Sequence, residues 1–185
     1  KHGHTALVTI NNPPANTWDR ESLNGLRQLV EHLNRDDDIY ALVITGQGGK
    51  FFSAGADLKL FADGDKARAR EMARRFGEAF EALRDFRGVS IAAINGYAMG
   101  GGLECALACD IRIAERQAKI GLPETSLGMV PGWSGTQRLV RRFGAQIVRR
   151  MVLGGEMFVA EEARANGLVD LVVDEIVIGA AGAAH

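Results

Sequence analysis

At 185 residues the chain is long enough for one well-formed core and too short for two, so a single domain is expected. Its 46% hydrophobic and 24% charged residues suit a globular protein, and a formal net charge of −1 argues against a general nucleic-acid binder. No apolar run is long enough to span a membrane and no secretion signal opens the chain, which begins at Lys1 rather than methionine, so the cytoplasm (or a mitochondrial matrix in a eukaryote) is the expected location.

Thr5–Ile10 is a short β-branched run closed by Asn11-Asn12-Pro13-Pro14, which neither strand nor helix absorbs. Thr17 is placed to cap a helix with Asp19 and Glu21 in its first turn and an apolar stripe of Leu23, Leu26, Val30 and Leu33. Ala41–Thr45 reads as a buried strand, and Phe51-Phe52-Ser53 as extended chain before the small-residue run Ala54-Gly55-Ala56-Asp57. From Asp65 to about Phe86 a long helix carries Met72, Phe76, Phe80 and Leu83 on one face. Ser90–Ile94 is a strand leading to Gly100, Gly101 and Gly102, followed by a helix over Leu103–Cys109 that is apolar on every side except for Glu104.

Beyond it, Ile111–Ala114 and Lys119–Leu122 are short extended pieces, and Pro123 suits the first turn of a short helix. Gln137–Phe143 and Gln146–Leu153 read as helices broken at Gly144 and Gly154-Gly155. Ala160–Asn166 is a last helix, ended by Gly167, before a strand over Leu168–Val173. Strands alternating with helices predict an α/β domain with no internal repeat.

The chemistry concentrates at the glycines. Glycine lets a ligand approach the backbone closely, and the first N–H groups of a following helix are unpaired donors at the positive end of its dipole. Glu104 sits beside that anion site, and a glutamate is rarely buried without a partner or a task. Ala54-Gly55-Ala56-Asp57-Leu58 is a second turn that exposes backbone, so two N–H groups from separate loops can converge on one oxygen. Each run is equally readable as a tight turn that needs small residues.

Phosphate-loop and serine-hydrolase patterns both fail on residue type. Cys105 and Cys109, spaced i,i+4, read as small core hydrophobes, and the four histidines lie outside the motifs, leaving little for a metal site. Glu104 and Glu124 are twenty residues apart, so only the fold can bring them together. Glu124, next to Pro123, is equally a first-turn acid favoured by a helix dipole.

Four stretches, FFSAGADLK (Phe51–Lys59), INGYAMGGGLECALACD (Ile94–Asp110), LPETSLGMVPGWSGTQRL (Leu122–Leu139) and ANGLVDLVV (Ala165–Val173), stand in an order that resembles the crotonase family, in particular enoyl-CoA hydratases. The opening strand, PPANTW (Pro13–Trp18) and LVITG (Leu42–Gly46) agree with it. The resemblance implies an α/β fold of ββα units wound into a spiral with two roughly perpendicular sheets. It makes residues 1–174 the spiral core and leaves 175–185 an unmatched tail.

By the same resemblance, Ala56 and Gly101 match the positions whose N–H groups bind the thioester oxygen, and Glu104 and Glu124 match the hydratase glutamate pair. Ala54, Asp57, Leu58 and Lys59 fall in the segment that lines the coenzyme A site. The implied reaction is syn addition of water to a trans-2-enoyl thioester, with Glu104 deprotonating the water and Glu124 protonating C2. One of two close carboxylates is expected to keep its proton near neutral pH. No metal or separate cofactor is needed, since coenzyme A is part of the substrate.

Two features depart from the family. Trp133 stands in the glycine-rich turn, either narrowing the acyl pocket or packing. The C-terminal helices that close the site and build homotrimers or hexamers in the family are missing from the sequence, which stops at EIVIGAAGAAH; a chain ending there is expected to associate and to have weak activity. The competing enzyme is a Δ3–Δ2-enoyl-CoA isomerase of the same family. The non-enzyme alternative is an RNA-binding module built on Arg68–Arg75 and on Arg138, Arg141, Arg142, Arg149 and Arg150, against which stands the lack of interleaved aromatics.

Overall fold

The computed structural model describes residues 1–133 and 135–177. Strand β1 (Thr5–Ile10) leads through helix α1 (Arg20–Leu33) to β2 (Ala41–Gly46). The chain then leaves for a second sheet at β3 (Phe51–Ser53), and α2 (Lys66–Arg84) returns it to β4 (Val89–Ile94). The same turn repeats through β5 (Tyr97–Met99), α3 (Gly101–Ala108) and β6 (Ile111–Glu115). After β7 (Lys119–Gly121) come a 3-10 turn at Pro123–Leu127, α4 (Gly135–Phe143), and α5 (Ala145–Val148), which runs on as a π turn over Arg149–Leu153. Strand β8 (Phe158–Val159), α6 (Ala160–Ala165) and β9 (Leu171–Val173) close the order.

One sheet runs β1-β2-β4-β6-β9 with all neighbours parallel; the other runs β3-β5-β7-β8, with β8 antiparallel to β7. Parallel neighbours require long crossovers, and α1, α2 and α3 supply them. Each turn of the winding therefore lays one strand on each sheet, which is the ββα spiral of the resemblance. The register follows the apolar pattern: Thr5 pairs with Ala41, Ala41 with Val89, and Ile91 with Ile111.

The helices form where the apolar stripes dictate. Leu23, Leu26, Val30 and Leu33 of α1 are buried, and so are Met72, Phe76, Phe80 and Leu83 of α2; burying such a side chain contributes ~1.5–3 kcal/mol. The α1 cap is Asp19 rather than Thr17. Asp19 Oδ1 accepts from Ser22 N at 2.8 Å, and Asp19 N donates back to Ser22 Oγ at 2.9 Å. A carboxylate at the positive helix end outcompetes a hydroxyl two residues earlier.

Other boundaries also differ. Helix α3 begins at Gly101, so two of the three glycines are helical and Gly100 is the cap. The last strand starts at Leu171 instead of Leu168, because Leu168 N–H is still held by Ala163 O at 2.8 Å as part of the α6 cap. β5 and β8 carry no sequence signal long enough to read. The final residues 178–185, and with them most of the expected tail, lie outside the described residues, as does Ser134; Ile176 N–H is tied to Glu115 Oε1 at 2.9 Å.

Candidate active site

The turn between β3 and the 3-10 turn at Leu58–Phe61 is clamped from one side. Trp18 N–H donates to Gly55 O at 2.7 Å and Asp57 N–H donates to Trp18 O at 3.0 Å. The Ala56 peptide is thus gripped on both flanks while its own N–H faces away from Trp18. Gly55, at φ +89°, lies so close to α3 that a Cβ there would stand 2.9 Å from Gly101 N. The two expected donor loops are therefore in backbone contact. Among the described residues, neither Ala56 N–H nor Gly101 N–H has a hydrogen-bond partner.

A pocket of about 200 Å³ opens at this junction. Its lining includes Ala54, Ala56 and Leu58 from one loop, Gly100 and Gly101 from the start of α3, and Pro123, Glu124 and Trp133 from further along the chain. Thr17, Leu127 and Met129 complete the lining. The sequence offers Thr17 only as a helix cap and as part of the PPANTW stretch, and gives Leu127 and Met129 no role. Of the expected coenzyme A segment, Ala54 and Leu58 reach the pocket, whereas Asp57 and Lys59 do not line it. Asp57 instead caps its own turn by accepting from Lys59 N at 3.0 Å.

Glu124, in the 3-10 turn that Pro123 opens, is 6% exposed and lines the pocket. Gly100 explains how it fits: a Cβ at that residue would stand 2.7 Å from Glu124 Oε1. Glu104 is fully buried and lies deeper, beneath the segment around Trp133. Its Oε1 accepts from Trp133 N at 2.9 Å and from Gly135 N, at the start of α4, at 2.7 Å. Glu104 Oε2 and both Glu124 oxygens have no protein partner among the described residues. The fold thus brings together two acids twenty residues apart and leaves three buried acceptor oxygens free.

Burial raises the Glu104 pKa to about 7. The Gly135 N–H pulls it down, the negative charge of Glu124 raises it, and Trp133 N–H and Arg138 oppose the rise. Burial also raises the Glu124 carboxyl above its ordinary value.

Trp133 packs, and it also lines this pocket. Its ring lines the pocket and stacks on Phe76 of α2 with centroids 3.6 Å apart and planes 13° from parallel, a contact worth ~0.5–1.5 kcal/mol beyond burial. Cys105 and Cys109 are buried free thiols, with Cys109 pushed up to about 12 by burial, so neither is a thiolate at neutral pH. Among the described residues no group of three or more His, Cys, Asp or Glu side chains could hold a metal, and no helix is long and apolar enough to cross a membrane.

Part of the arginine stretches is paired within the fold. Arg68 pairs with Asp63, Arg74 with Glu78, Arg75 with Glu71, and Arg150 with Glu156 and Glu162. Arg142 donates to Leu107 O at 3.3 Å, and Arg138 is half-buried near Glu104. Arg70, Arg141 and Arg149 stay exposed, so the internal pairing thins the basic surface without abolishing it.

Residues 1–180 match the sequence profile of the family described as Enoyl-CoA hydratase/isomerase. The short-chain-enoyl-CoA hydratase of Clostridium acetobutylicum is 37% identical over 175 residues, covering 94% of this chain and 67% of that protein. The 2,3-dehydroadipyl-CoA hydratase of Escherichia coli is 44% identical over 168 residues, covering 88% of this chain and 63% of that one. Among solved structures, DspI of Pseudomonas aeruginosa superposes with a TM-score of 0.92 at 76% identity, covering 94% of this chain and 71% of that one. The chain thus spans about two thirds of the length of the curated relatives it matches.

Proposed function

The chain belongs to the enoyl-CoA hydratase/isomerase family, and on that premise we propose that it hydrates trans-2-enoyl-CoA thioesters to 3-hydroxyacyl-CoA. The observation that carries the reading is the buried Glu124 carboxylate in a pocket lined by Ala56 and Gly101, whose N–H groups have no partner among the described residues, with buried Glu104 near enough to feel its charge. Buried acceptors without donors are costly unless a ligand or water completes them. Two free N–H groups from touching loops suit an oxygen that gains negative charge, and one such donor is commonly worth ~3–4 kcal/mol in the transition state.

In the proposed reaction the thioester oxygen lies between Ala56 N–H and Gly101 N–H. A water hydrogen-bonded to Glu104 Oε2 attacks C3 and gives its proton to that carboxylate, while the electrons of the C2–C3 double bond pass to the thioester oxygen. Glu124 then protonates C2 on the same face, which makes the addition syn. One proton shared between the acids satisfies both roles. An acyl chain in the pocket displaces water from Glu124 and further disfavours its charge, which suits Glu124 to hold the shared proton as the acid. A pKa of about 7 suits Glu104 to base catalysis near neutrality.

Coenzyme A enters as part of the substrate, and a homotrimeric or hexameric assembly and a cytoplasmic place of action belong to the same proposal. Incubation with crotonyl-CoA tests the reaction: loss of the conjugated-enoyl absorbance with formation of 3-hydroxybutyryl-CoA is expected. Turnover of a 3-enoyl-CoA to the conjugated 2-enoyl-CoA, with no hydration of crotonyl-CoA, would make the protein an isomerase instead.

A further inference from the structure

Trp133 has a position that neither the glutamates nor the oxyanion donors require. Its indole lines the pocket, and its opposite support is Phe76, which is fully buried in α2 and lies nearly parallel to it. The two rings also press on the base of the pocket: a Cβ on Gly101 would stand 3.0 Å from Phe76 Cε1 and 3.1 Å from Trp133 Cζ3. No space for a methylene therefore remains between the proposed thioester site and α2 on this side. The backbone of the same residue is fixed by its N–H bond to Glu104 Oε1, and Gly135 N–H holds that oxygen too. The wall is anchored at its ring and at its peptide, so it cannot swing aside without disturbing the Glu104 carboxylate.

We infer that Trp133 is the specificity-determining residue of the acyl pocket: backed by Phe76 and seated against Gly101, it closes the route towards α2 and restricts productive binding to short acyl chains. This rests on the proposed acyl-CoA site. The exposed apolar lining, Leu58 at 49% and Leu127 at 57%, offers a longer chain little burial.

Binding to the intact protein tests this without a variant. Each methylene that enters an apolar pocket tightens binding by roughly fourfold. Butyryl-, hexanoyl- and decanoyl-CoA are therefore expected to bind with affinities within about threefold of one another; a steady tightening through the series would overturn the inference. In Trp133→Ala the peptide N–H to Glu104 is kept while the wall is removed. The ratio of kcat/KM for trans-2-decenoyl-CoA to that for crotonyl-CoA is expected to rise at least tenfold, and Trp133→Leu, which keeps more bulk should the alanine variant fold poorly, to give a smaller rise. An unchanged ratio in a folded variant overturns the inference while leaving the hydratase reading intact. Chain-length-independent binding without hydration of any enoyl-CoA has the reverse meaning, and no binding of any acyl-CoA overturns both.

Discussion

Glu104 shows how a single residue carries both a function and a cost. Its folded pKa of about 7 lies above the ordinary value of 4.5, so the folded state holds the proton more tightly than the unfolded chain does. The linked stability is full below pH 4.5 and is lost as the pH rises towards 7. Glu104→Gln removes the charge while its amide oxygen can still accept from Trp133 and Gly135. It is expected to abolish most hydration, by ~10²–10⁴-fold, and to stabilise the fold above pH 7 by up to about 3 kcal/mol. Thermal melts of both proteins from pH 4 to 9 check this: the curves should converge at low pH and separate at high pH. Glu124→Gln is expected to cost similar activity, and near-normal turnover in either variant removes that acid from the mechanism.

At the scale of the element, α3 is the piece on which the site is hung. All eight of its residues are buried, and its glycines have three different reasons to be there. At Gly102 a Cβ would fall 2.2 Å from Ser53 O, so β3 and α3 could not pack. At Gly100 the left-handed φ of +54° and the Glu124 carboxylate both exclude a side chain. At Gly101 a Cβ would stand 3.0 Å from the Phe76 ring, a milder conflict than a backbone oxygen at 2.2 Å. Gly102→Ala is thus expected to destabilise most, and Gly101→Ala least, with overpacking of this kind costing ~1–3 kcal/mol. The alanine and proline variants are compared once both are shown to be folded: proline suits the first helical position, and Gly101→Pro loses the N–H that alanine keeps. Its activity is expected to fall far below that of Gly101→Ala; equal activity would show that this N–H binds no developing charge.

Across the whole molecule, the end of the described chain is locked back onto its middle. The Arg112 guanidinium of β6, buried, donates to Leu168 O at 2.8 Å, Cys109 O at 3.0 Å and Asp170 Oδ2 at 2.9 Å. One side chain thereby joins β6, the C-terminal end of α3 and the approach to β9. Arg112→Ala leaves two buried carbonyls without a donor and is expected to cost ~3–5 kcal/mol. Asp170→Asn, on a half-exposed partner, should cost much less. Urea denaturation of the three proteins gives the comparison, and a cost for Arg112→Ala below that for Asp170→Asn would contradict the assigned roles.

The sequence by itself determined what is local and periodic. The stripes of α1 and α2, the β-branched strands, and the breaks at Gly144 and Gly167 follow from side-chain spacing and backbone freedom, which need no partner. The motif resemblance reached the family and nominated the two glutamates, the two N–H donors and the coenzyme A segment. Short strands such as β5 and β8 escaped because two or three residues acquire a strand geometry only when a neighbour supplies the hydrogen bonds. The cap at Asp19 was missed because two candidates stood within one turn. The depth of Glu104, its grip by Trp133 and Gly135, the dispensability of Asp57 and Lys59 for lining the pocket, and the Trp133–Phe76 wall were decided by tertiary structure alone. Burial, and the charge felt through it, depends on groups distant in sequence: Phe76 and Trp133 are 57 residues apart and meet only because the spiral stacks α2 on the segment before α4.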